Sequence, residues 1–440
     1  MTERRKQIHL AAHFPGVDDS SVRADPRAGG RAAFSSFEHL ARTAERGLFD
    51  FVSLAEVPRP RHHQGRIHDL DAMGGPEPIS VLCALAAVTD RVGLAATVDA
   101  AFGEPYEPAR RLASLDHLSA GRAAWTVVTS SDALTGENLR RGGCPERPDR
   151  AARAAEFVQS ARELWGSWTP DGVPRPCAHR GRYFSVEGEF TVPRSPQGRP
   201  VVIQAGDSDE GRELAAASAD VVLARHDGIE AGRAFCADVK GRLAAYGRSP
   251  DDLKIMAAVT VVLGDTDAEA REKAAGIRSR RIPPRGAIVA PEEGRRRDRS
   301  ARDPGGPLPG IGPVQGSGPD GGRFGTGGPP AVAAKGRAPE DAAPPSIRQA
   351  VPAGTERPFV IGTPSGVAAA LDAFVRSGAA DGFVLVPHPA PGALDDFVDR
   401  VVPLLQERGA LRTAYAGTTL RSHLGLGEPD FGLGKPEGEG

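Results

Sequence analysis

Residues 92–129 read VGLAATVDAAFGEPYEPARRLASLDHLSAGRAAWTVVT, and this stretch decides the fold. Apolar runs at 92–98 and 123–129 flank a segment, 110–118, that has helical spacing and is followed by Gly121 as a stop signal. Both runs are continuously apolar instead of alternating, which is typical of strands that are covered on both faces. A strand, a helix and a second covered strand together predict a parallel βαβ unit.

The same unit recurs along the chain. Six further apolar runs, nearly all followed by helical segments, lie at 8–12, 49–55, 200–205, 219–224, 253–263 and 382–386. Eight parallel units favour a closed (β/α)₈ TIM barrel of the α/β class over an open doubly wound sheet. We therefore expect one barrel domain over 1–427 with insertions, followed by a flexible tail at 428–440.

One insertion, at about 170–199, precedes the fifth apolar run. The larger one, at 281–357, is rich in Gly, Pro and Arg and holds almost no large apolar residue, so we expect it to be mostly disordered. Gly316, Gly318 and Gly321 inside it have the spacing of a dinucleotide fingerprint. No strand precedes them and Pro319 interrupts them, so we expect no nucleotide site there.

Composition excludes several classes of protein. The 440 residues carry a formal net charge of −2, so no global field would draw nucleic acid or an anionic membrane. The four cysteines form no close pair, which argues against a zinc knuckle or a redox dithiol. The apolar stretch at 8–12 is too short for a signal peptide or a membrane span. We expect a soluble cytoplasmic protein.

Polar residues follow the predicted strands, at the barrel end where such folds collect their chemistry. They are Glu56, Thr97, Asp99, Thr129, Ser130, Gly206, Asp207, Ser208, His226, Asp227 and His388. This ring predicts a site for a small polar ligand or for a cofactor with a polar rim.

Three smaller features have two interpretations each. Residues 206–208 (GDS) stand before a helix, where they could hold a phosphate, or Asp207 could be a plain N-cap. Residues 62–68 contain three histidines without a standard metal-ligand spacing, which favours a solvated loop over a metal site. Asp116 and His117 close a predicted helix, which favours a structural role.

Several longer stretches resemble a known family. Residues 113–122 (ASLDHLSAGR) and 125–130 (WTVVTS) are similar to bacterial-luciferase-like flavin monooxygenases, in the branch of nitrilotriacetate, dibenzothiophene-sulfone and pristinamycin monooxygenases. Residues 41–46 (ARTAER), 193–198 (PRSPQG) and 378–383 (GAADGF) continue the resemblance. It is collinear from about residue 6 to residue 427, outside 281–357.

The resemblance implies a function as well as a barrel. Such enzymes bind reduced FMN supplied by a separate NAD(P)H:flavin reductase and use molecular oxygen to oxygenate a small organic substrate. It therefore implies a two-component monooxygenase, with FMN as cofactor and a homo-oligomeric assembly. No catalytic residue is assigned, because much of the chemistry belongs to the flavin.

The resemblance also implies cofactor contacts. Thr97 and Ser208 match residues that contact the flavin and its phosphate, and Glu56 stands where the family usually has Asp. Cys144 and Pro148 stand where a His and a Tyr commonly contact FMN, and Pro148 has no hydroxyl to offer. Three interpretations stay open at this point: a monooxygenase with a remodelled flavin site, a barrel that uses a reduced deazaflavin, and a non-catalytic homologue that serves in protein interaction.

Overall fold

The computed structural model describes residues 6–14, 33–55, 76–101, 103–129, 147–169, 171–206, 208–226, 228–281, 359–386, 392–427 and 429. The side chains of residues 147, 148 and 279–281 lie outside this description. The predictions for residues 62–68, for the insertion at 281–357 and for the tail at 428–440 fall almost wholly outside the described residues. They stay predictions.

Eight parallel strands close into a barrel. In chain order the strands are β1 (His9–Phe14), β2 (Phe51–Leu54), β3 (Gly93–Asp99), β4 (Ala123–Val128), β5 (Pro176–Arg180), β6 (Ser185–Glu189), β7 (Val201–Ala205), β8 (Val221–Ala224), β9 (Lys254–Leu263), β10 (Phe359–Gly362) and β11 (Gly382–Leu385). Strands β1, β2, β3, β4, β7, β8, β9 and β11 pair in that order, and β11 returns to β1. The predicted barrel is confirmed, and each predicted strand matches an observed one within two residues at either end.

Two sheet elements were not predicted. Strands β5 and β6 form an antiparallel hairpin inside the insertion at 170–199, and their short polar sequences carry little strand signal. Strand β10 pairs with the last four residues of β9, which extends beyond its contact with β11. Both elements lie outside the barrel wall.

Helices connect most of the strands. They are α1 (Phe34–Arg46), α2 (Pro78–Ala86), α3 (Tyr106–Leu118), α4 (Arg147–Gly166), α5 (Asp209–Ser218), α6 (Ile229–Arg242), α7 (Asp267–Arg281), α8 (Pro364–Arg376), α9 (Ala393–Arg400), α10 (Val402–Glu407) and α11 (Leu420–His423). The helix predicted over 110–118 begins four residues earlier, at Tyr106. Across the described ranges, none of the helices has the length and apolar character that crossing a bilayer requires.

Small and apolar side chains fill the barrel interior. This cluster includes Ala11, Phe51, Ala95, Ala124, Ile203, Val221, Met256 and Val384. Leu420 of α11 and Leu424, which follows the helix, belong to the same cluster, and Leu420 lies against Gly93 at the N-terminal end of the barrel. Because side chains alternate between the two faces of a barrel strand, these positions also identify the other side chains that point inward.

Candidate active site

The inward side chains become polar towards the C-terminal ends of the first four strands. Two residues beyond the apolar layer, the inward positions are His13, Ser53, Thr97 and Thr126. His13 Nδ1 lies 3.4 Å from Ser53 Oγ, and Thr97 is paired in register with Thr126. We call these four residues the polar layer. It lies at the end of the barrel where TIM-barrel enzymes carry their active sites.

Thr126 has a feature that the other members of the layer do not show. Its side chain is 4% exposed, and its Oγ1 has no hydrogen-bond partner among the described residues. A buried hydroxyl without a partner costs about 1–3 kcal/mol. A polar group that enters the barrel mouth would remove this cost, so Thr126 fits a site that is completed by a ligand.

Ser208 lies at the start of α5, directly after β7. It is the N-cap of the helix, and its Oγ accepts a hydrogen bond from the Gly211 amide at 3.1 Å. This corrects the alternative in which Asp207 is the cap. A hydroxyl that accepts one bond can still donate its own proton, and a helix N-terminus attracts anions.

The first turn of α5 also carries negative charge, which opposes a bound phosphate. Asp209 and Glu210 are both in this turn. Asp209 Oδ1 accepts a bond from Arg242 Nη2 at 2.6 Å, so the charge of Asp209 is partly offset by α6. The helix end therefore keeps its capacity to bind an anion, although it is not strongly basic.

The structure places two of the predicted cofactor residues at the same end of the barrel. Thr97 at the end of β3 and Ser208 after β7 lie on the same rim of the barrel, with β4 between their strands. Glu56 and Cys144 lie outside the described residues. Pro148 lies in the first turn of α4, and its side chain is outside the description.

Other residues of the predicted polar ring have structural contacts. Asp99 Oδ1 accepts a bond from the Ala101 amide at 2.7 Å, which fixes the turn after β3. His226 is buried, and its ring lies 4.9 Å from the Phe235 ring. Ser130, Asp207, Asp227 and His388 lie outside the described residues.

His13 and Ser53 were missed by the sequence interpretation, which considered residues after each strand and not inward positions within it. Residues two apart on a strand point to the same face, so an inward Ala11 could have indicated an inward His13. The structural role predicted for Asp116 is supported, since its Oδ1 accepts from the Ala123 amide at 2.8 Å and from Gln197 Nε2 at 2.7 Å. Burial raises the pKa of Asp116 to about 6.

The chain is similar in sequence and in structure to known proteins. A family profile described as luciferase-like monooxygenase matches residues 15–381. Nitrilotriacetate monooxygenase component A from Aminobacter aminovorans is 37% identical, over 91% of each chain. One of the subunits of pristinamycin IIA synthase from Streptomyces pristinaespiralis is 36% identical, over 98% of each chain. The crystal structure of riboflavin lyase with modified FMN and riboflavin has a TM-score of 0.76 at 27% identity, over 96% of each chain.

Proposed function

Since the chain belongs to the luciferase-like monooxygenase family, we propose that it is a flavin-dependent monooxygenase. In this proposal it takes reduced FMN from a separate NAD(P)H:flavin reductase and oxygenates a small organic substrate with molecular oxygen. The bound flavin supplies the electrons that activate oxygen. The protein binds and orients the flavin and the substrate and keeps water away from them.

The hydroxyl of Thr126, which is buried and has no partner in the described part of the chain, is the observation that carries this proposal. It belongs to a polar layer of small donors and acceptors that is otherwise surrounded by apolar strands. A flavin has an apolar ring with a polar edge of carbonyl and nitrogen atoms, which matches such a layer. Thr97 and Thr126 would donate to that edge, and His13 and Ser53 would extend the layer to β1 and β2.

The cofactor phosphate would lie at the start of α5. There the Ser208 hydroxyl and the backbone amides of the first turn would bind it. Glu56, Cys144 and Pro148 complete the proposed cofactor positions, with Glu56 beside the ring. Cys144 and Pro148 offer weaker hydrogen bonding than His and Tyr, so we expect reduced FMN to bind with only micromolar affinity.

The partners follow from the same proposal. The relative from Aminobacter is named as one component of a monooxygenase, and the relative from Streptomyces as one of the subunits of a synthase. A second protein component is therefore expected here, in the form of the flavin reductase. We also propose a cytoplasmic homo-oligomer.

Anaerobic equilibrium binding tests the function. Reduced FMN is titrated into the protein, with oxidised FMN and a reduced deazaflavin as comparators. We expect micromolar binding of reduced FMN and weaker binding of the other two. Preference for the deazaflavin would replace the proposal with a deazaflavin-dependent oxidoreductase. No binding of any of them at high micromolar concentration would leave a non-catalytic interaction protein.

A further inference from the structure

At the N-terminal end of the barrel, opposite the polar layer, Arg199 and Arg421 contact the carboxylate of Asp220. Arg162 and Arg248 lie close enough to interact with it electrostatically. Arg199 and Asp220 directly precede β7 and β8, and Arg421 lies in α11. Arg162 in α4 and Arg248 before β9 complete the group. Arg199, Asp220 and Arg421 are 5%, 3% and 6% exposed. We call these five residues the arginine cluster.

The carboxylate of Asp220 is fully occupied. Its Oδ2 accepts from Arg199 Nη1 at 2.7 Å and from the Val202 amide at 2.8 Å, and its Oδ1 accepts from Arg199 Nη2 at 3.1 Å. Arg421 adds two longer contacts, of 3.3 and 3.4 Å. One carboxylate thus already serves two guanidinium groups and one amide, and little acceptor capacity remains.

Two donors in the cluster have no acceptor. The Nε atoms of Arg199 and Arg421 are both buried, and neither has a hydrogen-bond partner within the described part of the chain. A buried donor that belongs to a charged group is especially costly to leave unpaired. The arrangement therefore lacks at least one acceptor group.

The charge balance also shows an excess of positive charge. The four guanidinium groups are opposed by Asp220 and, at Arg421 and Arg248, by Asp116 and Asp252, which makes three carboxylates. Arg248 donates to the carbonyls of Ala216 and Ala219 at the end of α5. Arg162 is partly exposed, and its side chain makes no hydrogen bond or ion pair with any described residue. Burial and the charges of Arg199, Arg248 and Arg421 together lower the pKa of Arg162 to about 10.

We propose that the arginine cluster binds a small tetrahedral oxyanion of the phosphate class. Such an anion offers several acceptors to guanidinium groups, which bind phosphate as planar forks. The partly exposed Arg162 provides the side open to solvent, and the unpaired Nε–H groups provide the buried donors. The site is separate from the proposed flavin site and does not depend on the proposed function.

Thermal unfolding of the full chain tests the site. The midpoint is measured from 0 to about 10 mM phosphate, with ionic strength held constant by sodium chloride, because screening alone also changes charge repulsion. We expect a saturable rise in the midpoint, as linkage requires for a ligand that binds only the native state. Isothermal titration of phosphate into the same protein gives the affinity independently. Equal midpoints in phosphate and chloride, with no binding heat, would overturn the proposal.

Two variants locate the response. Arg162→Gln removes a charge that forms no hydrogen bond or ion pair within the described ranges, so we expect a higher midpoint without phosphate and an at least tenfold weaker response to it. Arg233→Gln, on the exposed face of α6, is the control and should keep the full response. The proposal would be contradicted if Arg162→Gln kept the rise in midpoint with phosphate while Arg233→Gln or Ser208→Ala lost it. The anion would then bind elsewhere.

Discussion

The two ends of the barrel are both polar, but in different ways. At the N-terminal end, most of the described charged groups are paired, and Arg162 is an exception. Asp50 accepts from the Leu10 amide at 2.9 Å and lies 3.0 Å from Arg412 Nη1, and Asp381 lies 2.9 Å from Lys240 Nζ. These contacts tie the starts of the strands to helices and to the C-terminal segment.

At the C-terminal end, the polar layer consists of a histidine and three hydroxyl residues, and it includes the unpartnered Thr126. Charge pairing thus stabilises one end of this barrel, while the other end keeps small polar groups in reach of a ligand. This division agrees with the general pattern in TIM barrels. Substitutions at the N-terminal end should therefore change mainly the stability of the protein, and substitutions at the C-terminal end should also change ligand binding.

The largest effect is expected at the N-terminal end. Asp220→Asn removes the charge that neutralises Arg199 and Arg421, so the free energy of unfolding should fall by about 3–5 kcal/mol. The control Asp238→Asn weakens two more exposed pairs, with Arg212 at 2.7 Å and with Arg242 at 2.9 Å, and should cost only about 0–1 kcal/mol for each pair. Urea denaturation measures both. Similar losses in the two variants would show that the buried cluster is not the stabilising element.

A pH dependence of stability should come from the same end. His423 Nε2 donates to the Gly417 carbonyl at 3.2 Å, and its Nδ1 is buried without a partner among the described residues. Burial lowers the pKa of His423 from 6.5 to about 4. The unfolded chain therefore takes up this proton first as the pH falls, and the stabilisation is fully present only above pH 6.5.

Between pH 6.5 and pH 4 we expect the free energy of unfolding to lose up to roughly 3 kcal/mol from this residue. His423→Gln keeps a donor for Gly417 and cannot titrate, so its stability should fall less over that range. Denaturant midpoints at a series of pH values give the comparison. An unchanged slope in the variant would assign the acid sensitivity to other groups.

At the C-terminal end, Ser208→Ala should affect both stability and binding. Loss of the N-cap of α5 should cost about 1 kcal/mol of stability, and loss of a donor to the phosphate should weaken binding of reduced FMN about tenfold. Thr419→Ala is the matched control, because Thr419 caps α11 at the other end by accepting from Ser422 at 3.2 Å. It should lose similar stability and keep its flavin affinity. Equal losses of flavin affinity in Ser208→Ala and Thr419→Ala would argue against a contact between Ser208 and the flavin phosphate.

Much of the fold could be predicted because local signals and tertiary structure agree. Each barrel strand could be predicted from a continuous apolar run. Thr97 and Ser208 could be predicted as site residues because they lie near the C-terminal ends of such runs. The polar side chains of His13 and Ser53 could be assigned to the interior only once the barrel register was known, since a shift of one residue reverses the face. Short polar strands such as β5 and β6 carry little signal in sequence.

The arginine cluster could not be predicted for a different reason. Arg162, Arg199 and Arg421 are far apart in the chain, and nothing in their local sequences distinguishes them from the many other arginines. Their proximity depends on closure of the barrel and on the position of α11 across its end. Long-range clusters of charge are thus the least predictable part of this molecule from its sequence.

If the polar layer holds the flavin, Thr126→Val should weaken flavin binding. The measurement is the dissociation constant for reduced FMN under anaerobic conditions, in the parent and in this variant. Ser160→Ala is the control, because Ser160 Oγ is also buried and has no partner among the residues that the structure describes, but it lies in α4. We predict about five- to tenfold weaker binding for Thr126→Val, from the loss of one hydrogen bond of about 1 kcal/mol, and no change for Ser160→Ala. Unchanged affinity in Thr126→Val would contradict binding of the flavin by the polar layer.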